Sequence, residues 1–126
     1  MIDFKPDRLG HCCFLTEEQI QQVHDLNIPV EICPTSNLAV VKQAAGIAKF
    51  MPHLQSFYAK GSNIAVCCDD TMLFSTHHST EYFEFANAVD AGPKEFEAIL
   101  LKNVDAIFDD SAKDWLRETL AAYRWE

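Results

Sequence analysis

No stretch of the sequence approaches the roughly 18 apolar residues that a membrane-crossing helix needs, so a membrane partner is not expected. The opening residues, MIDFKPDRLG, have no apolar core, and no secretory signal peptide is expected there. Cations are scarce: ten Lys and Arg against nineteen Asp and Glu leave a net charge of −9. Non-specific binding to nucleic acid or to an anionic membrane surface needs clustered Lys and Arg, so neither partner is expected. No Cys-x-x-Cys spacing occurs. The five cysteines, Cys12, Cys13, Cys33, Cys67 and Cys68, are odd in number, which argues against a disulfide framework and against a cysteine zinc site. They read as small buried residues in a reducing, cytoplasmic setting. Adjacent residues of a strand face opposite ways, so Cys67 and Cys68 are not expected to line one site together. Internal repeats, low-complexity segments and linkers are also missing, leaving one segment over residues 1–126.

What is present is a globular pattern. Hydrophobic residues make up 48% of 126, enough for one real core. Three short runs read as strands of about five or six residues each. They lie around Arg8-Leu9-Gly10-His11-Cys12, over Ile28–Cys33 and over Asn63–Cys68. Helices fall between them. Thr16 and Gln19 form a capping-box pair ahead of Ile20, Val23 and Leu26, with Asn27 suited to the C-cap and Pro29 barring continuation. Pro52 to Lys60 carries Leu54, Phe57 and Tyr58 and ends at Gly61. Helices are expected from about Ser79 to Val89, from Lys94 to Phe108 with Phe96, Ile99, Leu100, Val104 and Ile107 facing inward, and after Ser111. In the last, Asp114 partners the Ser111 cap and Trp115, Leu116, Leu120 and Tyr123 form an apolar side. A turn at Asp90-Ala91-Gly92-Pro93 separates the first two.

Strands alternating with helices imply parallel strands joined by right-handed crossovers, a fold class of α/β type. Such folds bind ligands at the carboxyl ends of their strands. Each of the three runs ends in groups that can do chemistry. Asp69 and Asp70 are adjacent carboxylates that suit a metal and a substrate, or the cap of a short turn. His11 can serve as metal ligand, proton carrier or structural imidazole. Thr35, Ser36 and Asn37 can hydrogen-bond a sugar or phosphate, or cap the next helix. His77 and His78 read as solvated loop residues, and His24 and His53 lie on helices with no role assigned.

In order, these segments resemble the adenosine deaminase family. DRLGHCCFL is similar to its strand-six segment, VEICPTSN to strand seven with the Cys-Pro-x-Ser-Asn turn, NIAVCCDD to strand eight, and FSTHHSTEY to the loop and helix that follow. The resemblance runs from about Asp7 to the end. FSTHHSTEY looks closest to the branch acting on N6-substituted AMP. The resemblance implies a partial (β/α)8 barrel, strands six to eight plus C-terminal helices. It implies zinc-dependent hydrolytic removal of the amino group at purine C6 of a nucleoside or nucleotide. On that reading Asp69 is the zinc-ligating carboxylate, Asp70 hydrogen-bonds the purine near N7, and His11 orients the metal-bound hydroxide. Ser36 and Asn37 would touch ribose or phosphate.

The sequence departs from the family at several points. Cys12 replaces the glycine after the histidine and Cys68 the threonine before the aspartates, small changes expected to be tolerated. No His-x-His occurs, and no segment corresponds to strand five, which supplies a third histidine ligand and the catalytic glutamate in a His-x-x-Glu pattern. A catalytic zinc wants at least three protein ligands, so these 126 residues alone are expected to be inactive. Open strand edges and uncovered apolar faces favour self-association, or a missing barrel part supplied by another chain. A non-catalytic ligand- or partner-binding α/β module and another barrel-type metal hydrolase are the alternative readings.

Overall fold

The computed structural model describes residues 2–45 and 51–123. After a 3-10 turn at Ile2–Phe4, the order is β1 (Leu9–Gly10), α1 (Glu17–Asp25), β2 (Val30–Ile32), α2 (Pro34–Ala45), α3 (Pro52–Ala59), β3 (Ile64–Val66), α4 (His78–Val89), α5 (Pro93–Asp105) and α6 (Asp110–Ala122). The strands form one parallel sheet in the order β1-β2-β3. The α/β class and the parallel, sequential strand order of a partial barrel are therefore present.

The register explains the core. Leu9, Val30 and Ile64 make one row across the sheet, and Ile32 pairs with Val66 in the next. All five are buried on the same face. Ile20 and Val23 of α1, Leu54 and Phe57 of α3, Phe85 of α4 and Ile99 of α5 belong to the same cluster. Removing such a side chain from water contributes about 1.5–3 kcal/mol, which is what holds these helices to one side of so short a sheet. The other row, Gly10, Glu31 and Ala65, faces away. There Arg8 pairs with Glu31 at 3.0 Å and reaches the α5–α6 corner, stacking on Phe108 at 3.9 Å and donating to the Ala106 carbonyl.

The strands are shorter than the sequence suggests, and local causes are visible. β1 stops where His11 and Cys12 take left-handed φ angles of 57° and 56°. Pro29 cannot donate to the ladder, so β2 starts at Val30 and ends where Pro34 opens a helix. Cys67 still donates to the Ile32 carbonyl, but β3 ends at Val66, so Cys67 and Cys68 lie beyond the strand and their side chains are not set by its alternation. Only Cys12 and Cys33 are buried; Cys13, Cys67 and Cys68 are half-buried, and all five are free.

The capping box of α1 is formed, with Gln19 N–H to Thr16 Oγ1 at 3.3 Å and Thr16 N–H to Gln19 Oε1 at 2.9 Å. Leu26 is its C-cap, and Asn27 follows in the left-handed region at φ 51°. Gly61, at φ 69°, ends α3. Asp90 takes the same conformation after α4, and Pro93 opens α5. α5 ends at Asp105, so Ile107 lies outside it. The cap of α6 is Asp109, not Ser111: the Asp109 carboxylate accepts from the Ser111 N–H and hydroxyl, which places Ser111 inside the helix. α6 has no fully buried residue: Leu116 and Leu120 are half-buried, while Trp115 is 64% exposed and Tyr123 also lies open, so its expected apolar side is only partly covered.

Candidate active site

The carboxyl ends of the three strands bring His11, Ser36, Asn37 and Asp69 together. β1 delivers His11 through a tight turn. The Cys12 N–H donates to the Gly10 carbonyl at 2.7 Å with His11 at positive φ between them, the strained form of a γ-turn. Two consecutive non-glycine residues in the left-handed region cost about 1–2 kcal/mol each. Cys12 is accommodated where a glycine would avoid the penalty, so that small change in volume carries a backbone cost. Strain held at the tip of a strand is a mark of a positioned side chain.

β2 runs straight into α2, so Thr35, Ser36 and Asn37 occupy the first turn of a helix and not a loop. Their side chains are engaged sideways. Ser36 Oγ donates to Asp69 Oδ2 at 2.6 Å. Asn37 Nδ2 meets His11 Nδ1 at 2.7 Å. The Asn37 Oδ1 accepts from the Cys33 N–H at 3.3 Å and lies 3.4 Å from His53 Nε2. Ser36 and Asn37 are buried, with these hydrogen bonds directed to Asp69 and His11. His11 Nε2 and Asp69 Oδ2 are 3.9 Å apart, with side chains 45% and 37% exposed. These two groups form the open face of the cluster.

Asp70 diverges from Asp69. Its Oδ1 accepts from the N–H groups of Met72 and Leu73 at 3.0 and 2.8 Å, capping the turn that follows β3. The turn-cap use considered for this pair is realised by Asp70, while Asp69 faces the histidine. His77 is the N-cap residue of α4 and His78 its first residue, so the pair begins a helix and is not a free loop. His78 Nδ1 lies 3.9 Å from Cys68 Sγ, and its ring stacks edge-on with Tyr82.

Two supporting residues escaped the sequence reading. Glu81 is fully buried, yet its carboxylate is met by the Thr35 N–H at 3.0 Å, the Thr35 hydroxyl and the Thr76 hydroxyl at 2.5 Å. It ties the start of α2 to α4 and to the end of the loop after β3. His53, on α3, is buried behind Asn37. Burial first, and the charge of His11 second, push its imidazole down to about 4, so it stays neutral. A helical glutamate beginning with HSTEY and a histidine after Pro52 look like ordinary surface positions in sequence; only the tertiary packing buries them. Cys33 is likewise inert, its thiol pushed up to about 12 mainly by burial.

Among the described residues no group of three or more His, Cys, Asp and Glu side chains could hold a metal ion. Asp69 has the chemistry of one zinc ligand, and the described set by itself does not fit a zinc ion. The spacing His-x-x-Glu does occur once, at His78 and Glu81. It lies in the first turn of α4, where the Glu81 carboxylate is engaged by Thr35 and Thr76. No described helix is long and apolar enough to cross a membrane.

Comparison with known proteins adds to this geometry. The family model described as Adenosine deaminase matches residues 1–123. An N6-mAMP deaminase of Arabidopsis thaliana is 36% identical over 118 residues, 93% of this chain and 32% of the relative. A crystal structure of the Arabidopsis N6-mAMP deaminase superposes with a TM-score of 0.85 at 33% identity, over 98% of this chain and 36% of that one. A crystal structure of Arabidopsis ADAL complexed with IMP gives 0.85 at 32% identity, over 97% and 35%. The chain thus spans about a third of the length of the relatives it matches.

Proposed function

The chain belongs to the adenosine deaminase family, and from that premise we propose that it furnishes one wall of a hydrolytic deaminase site acting at C6 of an aminopurine nucleotide. N6-substituted AMP is the substrate class we favour over adenosine, because the relatives it matches include N6-mAMP deaminases and a homologous structure holds IMP. The observation that carries the reading is the convergence of His11, Ser36 and Asp69 at the carboxyl ends of three parallel strands. Ligands of parallel α/β folds bind at that end.

The roles follow from the contacts. Asp69 is the anionic arm, held by the Ser36 hydroxyl, and is the residue we assign as a zinc ligand. Zinc, when bound with further ligands, would supply an activated water. His11 stands beside Asp69 with its ring edge open to solvent, suited to hold a polar group or a water against the purine. Asp70, with Oδ1 committed to its turn, would meet the ring near N7 through the remaining carboxylate oxygen. Ser36 and Asn37 serve the substrate by fixing Asp69 and His11. By themselves these 126 residues are not a competent deaminase, because the described residues converge only two metal-binding side chains. Five free cysteines suit a cytoplasmic setting. Trp115 and Phe108, both largely exposed, favour self-association or contact with a further barrel segment.

The test is an assay on adenosine, AMP and N6-methyl-AMP with product identification. It uses the purified chain and a chimera in which the chain replaces the matching third of the Arabidopsis relative. The chimera is expected to give IMP from N6-methyl-AMP, and the isolated chain to give no turnover. A folded chimera that is inert, or that yields a phosphate-hydrolysis product, contradicts the deaminase reading. Turnover by the isolated chain with one zinc per molecule contradicts the incompleteness.

A further inference from the structure

We infer that Asn37 is a positioning residue that fixes which ring nitrogen of His11 carries the proton. The direction of each hydrogen bond can be worked out from donors that have no choice. The Cys33 N–H can only donate, and it points at one end of the Asn37 amide at 3.3 Å. That end must be the oxygen. An amide NH2 there would face the Cys33 N–H as a second donor, whereas an oxygen there can also accept from His53 Nε2, 3.4 Å away.

The rest follows in sequence. With Oδ1 turned to Cys33 and His53, the Asn37 Nδ2 faces His11 and donates to Nδ1 at 2.7 Å. His11 Nδ1 must then be an acceptor without a proton. A neutral His11 carries its proton on Nε2, the atom 3.9 Å from Asp69 Oδ2 on the open face of the site. His53 is fixed the same way, with its proton on Nε2. Its buried Nδ1 has no hydrogen-bond partner among the described residues. The chain of donors therefore runs one way, from backbone and α3, through the buried amide of α2, to the histidine at the tip of β1. The geometric basis is tight: Asn37 is 1% exposed, so it cannot turn out to solvent and release the ring.

The consequence for the reaction rests on the deaminase reading above, while the tautomer itself does not. A His11 that presents Nε2–H to the cleft donates to whatever oxygen sits between it and Asp69. One that presented a bare Nε2 would accept instead. Asn37 selects the first.

The experiment is nitrogen-15 NMR of the His11 ring in the 126-residue chain at pH 8, where an ordinary imidazole is neutral. The wild type is expected to show His11 as the Nε2–H form by about tenfold or more, the ratio that one unmade buried hydrogen bond enforces. A scalar coupling across the Asn37 Nδ2 to His11 Nδ1 hydrogen bond is expected with it. Asn37→Asp replaces the donor by an acceptor of the same shape and is expected to move the proton to Nδ1. His53→Leu disturbs the packing behind Asn37 and leaves the Cys33 N–H in place, so it is expected to keep the Nε2–H form. A wild-type ring protonated on Nδ1, a missing coupling, or an Asn37→Asp variant that keeps the Nε2–H form overturns the inference. Because these signals need no turnover, their failure is distinguishable from failure of the deaminase reading.

Discussion

The first turn of α2 and the turn after β3 face each other across the strand ends and are built in opposite ways. On the α2 side Ser36 and Asn37 are buried, and every polar side chain from Thr35 to Asn37 is committed to a protein partner. On the β3 side Asp69, Asp70 and Thr71 are exposed, and Met72 is 93% exposed. The difference teaches which wall is prepared in advance. The α2 wall is held by buried groups that would be costly to leave unpaired, so it keeps its shape without ligand. The β3 wall presents its carboxylates to solvent.

The contrast can be broken most severely at Glu81. Glu81→Leu leaves the Thr35 N–H and two hydroxyls without their acceptor in a buried setting. A loss of about 3 kcal/mol or more is expected, read as a lower urea midpoint. A shift under about 1 kcal/mol would mean that the α2 wall is not held in this way. The next effect is on pH dependence. His53 is depressed from its ordinary value of 6.5 to about 4, so below pH 6.5 the unfolded chain takes up a proton that the folded chain does not. Stability is full above about 6.5 and falls as pH drops toward 4, by about 3 kcal/mol in all. His53→Gln is expected to remove most of that slope, seen by comparing urea midpoints at pH 4.5 and 7. An unchanged slope would place the acid sensitivity elsewhere.

Smaller effects belong to the β3 wall. Asp70→Ala removes the acceptor of the Met72 and Leu73 N–H groups and is expected to cost about 1 kcal/mol, whereas Asp70→Asn keeps an acceptor and most of the stability. If Asp70 also meets the purine, Asp70→Asn in the chimera should lose activity while the midpoint hardly moves; parallel losses would reduce it to a turn cap. Met72→Ser should shift the midpoint by less than about 0.5 kcal/mol, since an exposed methionine has little to lose. A larger shift would show that the turn is covered in solution.

Much of this was legible in sequence because the local signals agree with the fold. The capping box at Thr16 and Gln19, Gly61, and Pro93 after Asp90 each mark an element end that the structure keeps. His11, Ser36, Asn37 and Asp69 could be picked out because each follows a short apolar run. Their mutual contacts could not, since a strand end says nothing of which way a side chain turns once the helix begins at Pro34. Glu81 and His53 were illegible for a related reason. A charged residue on a helix reads as solvated until the packing of α4 on α2, or of α3 behind α2, encloses it. The apolar pattern of α6 holds only in part: period alone predicts a buried side, and here Leu116 and Leu120 are half-buried while Trp115 is left largely exposed.

The most direct test of the central claim, that this chain contributes the Asp69 arm of a metal-dependent aminopurine deaminase site, is zinc content and N6-methyl-AMP turnover in the chimera with and without Asp69→Asn. Removing a ligand from a catalytic zinc is expected to lower bound zinc well below one per molecule and to cut kcat by about a hundredfold or more, with the urea midpoint little changed. An Asp69→Asn chimera that keeps one zinc and full turnover would contradict it.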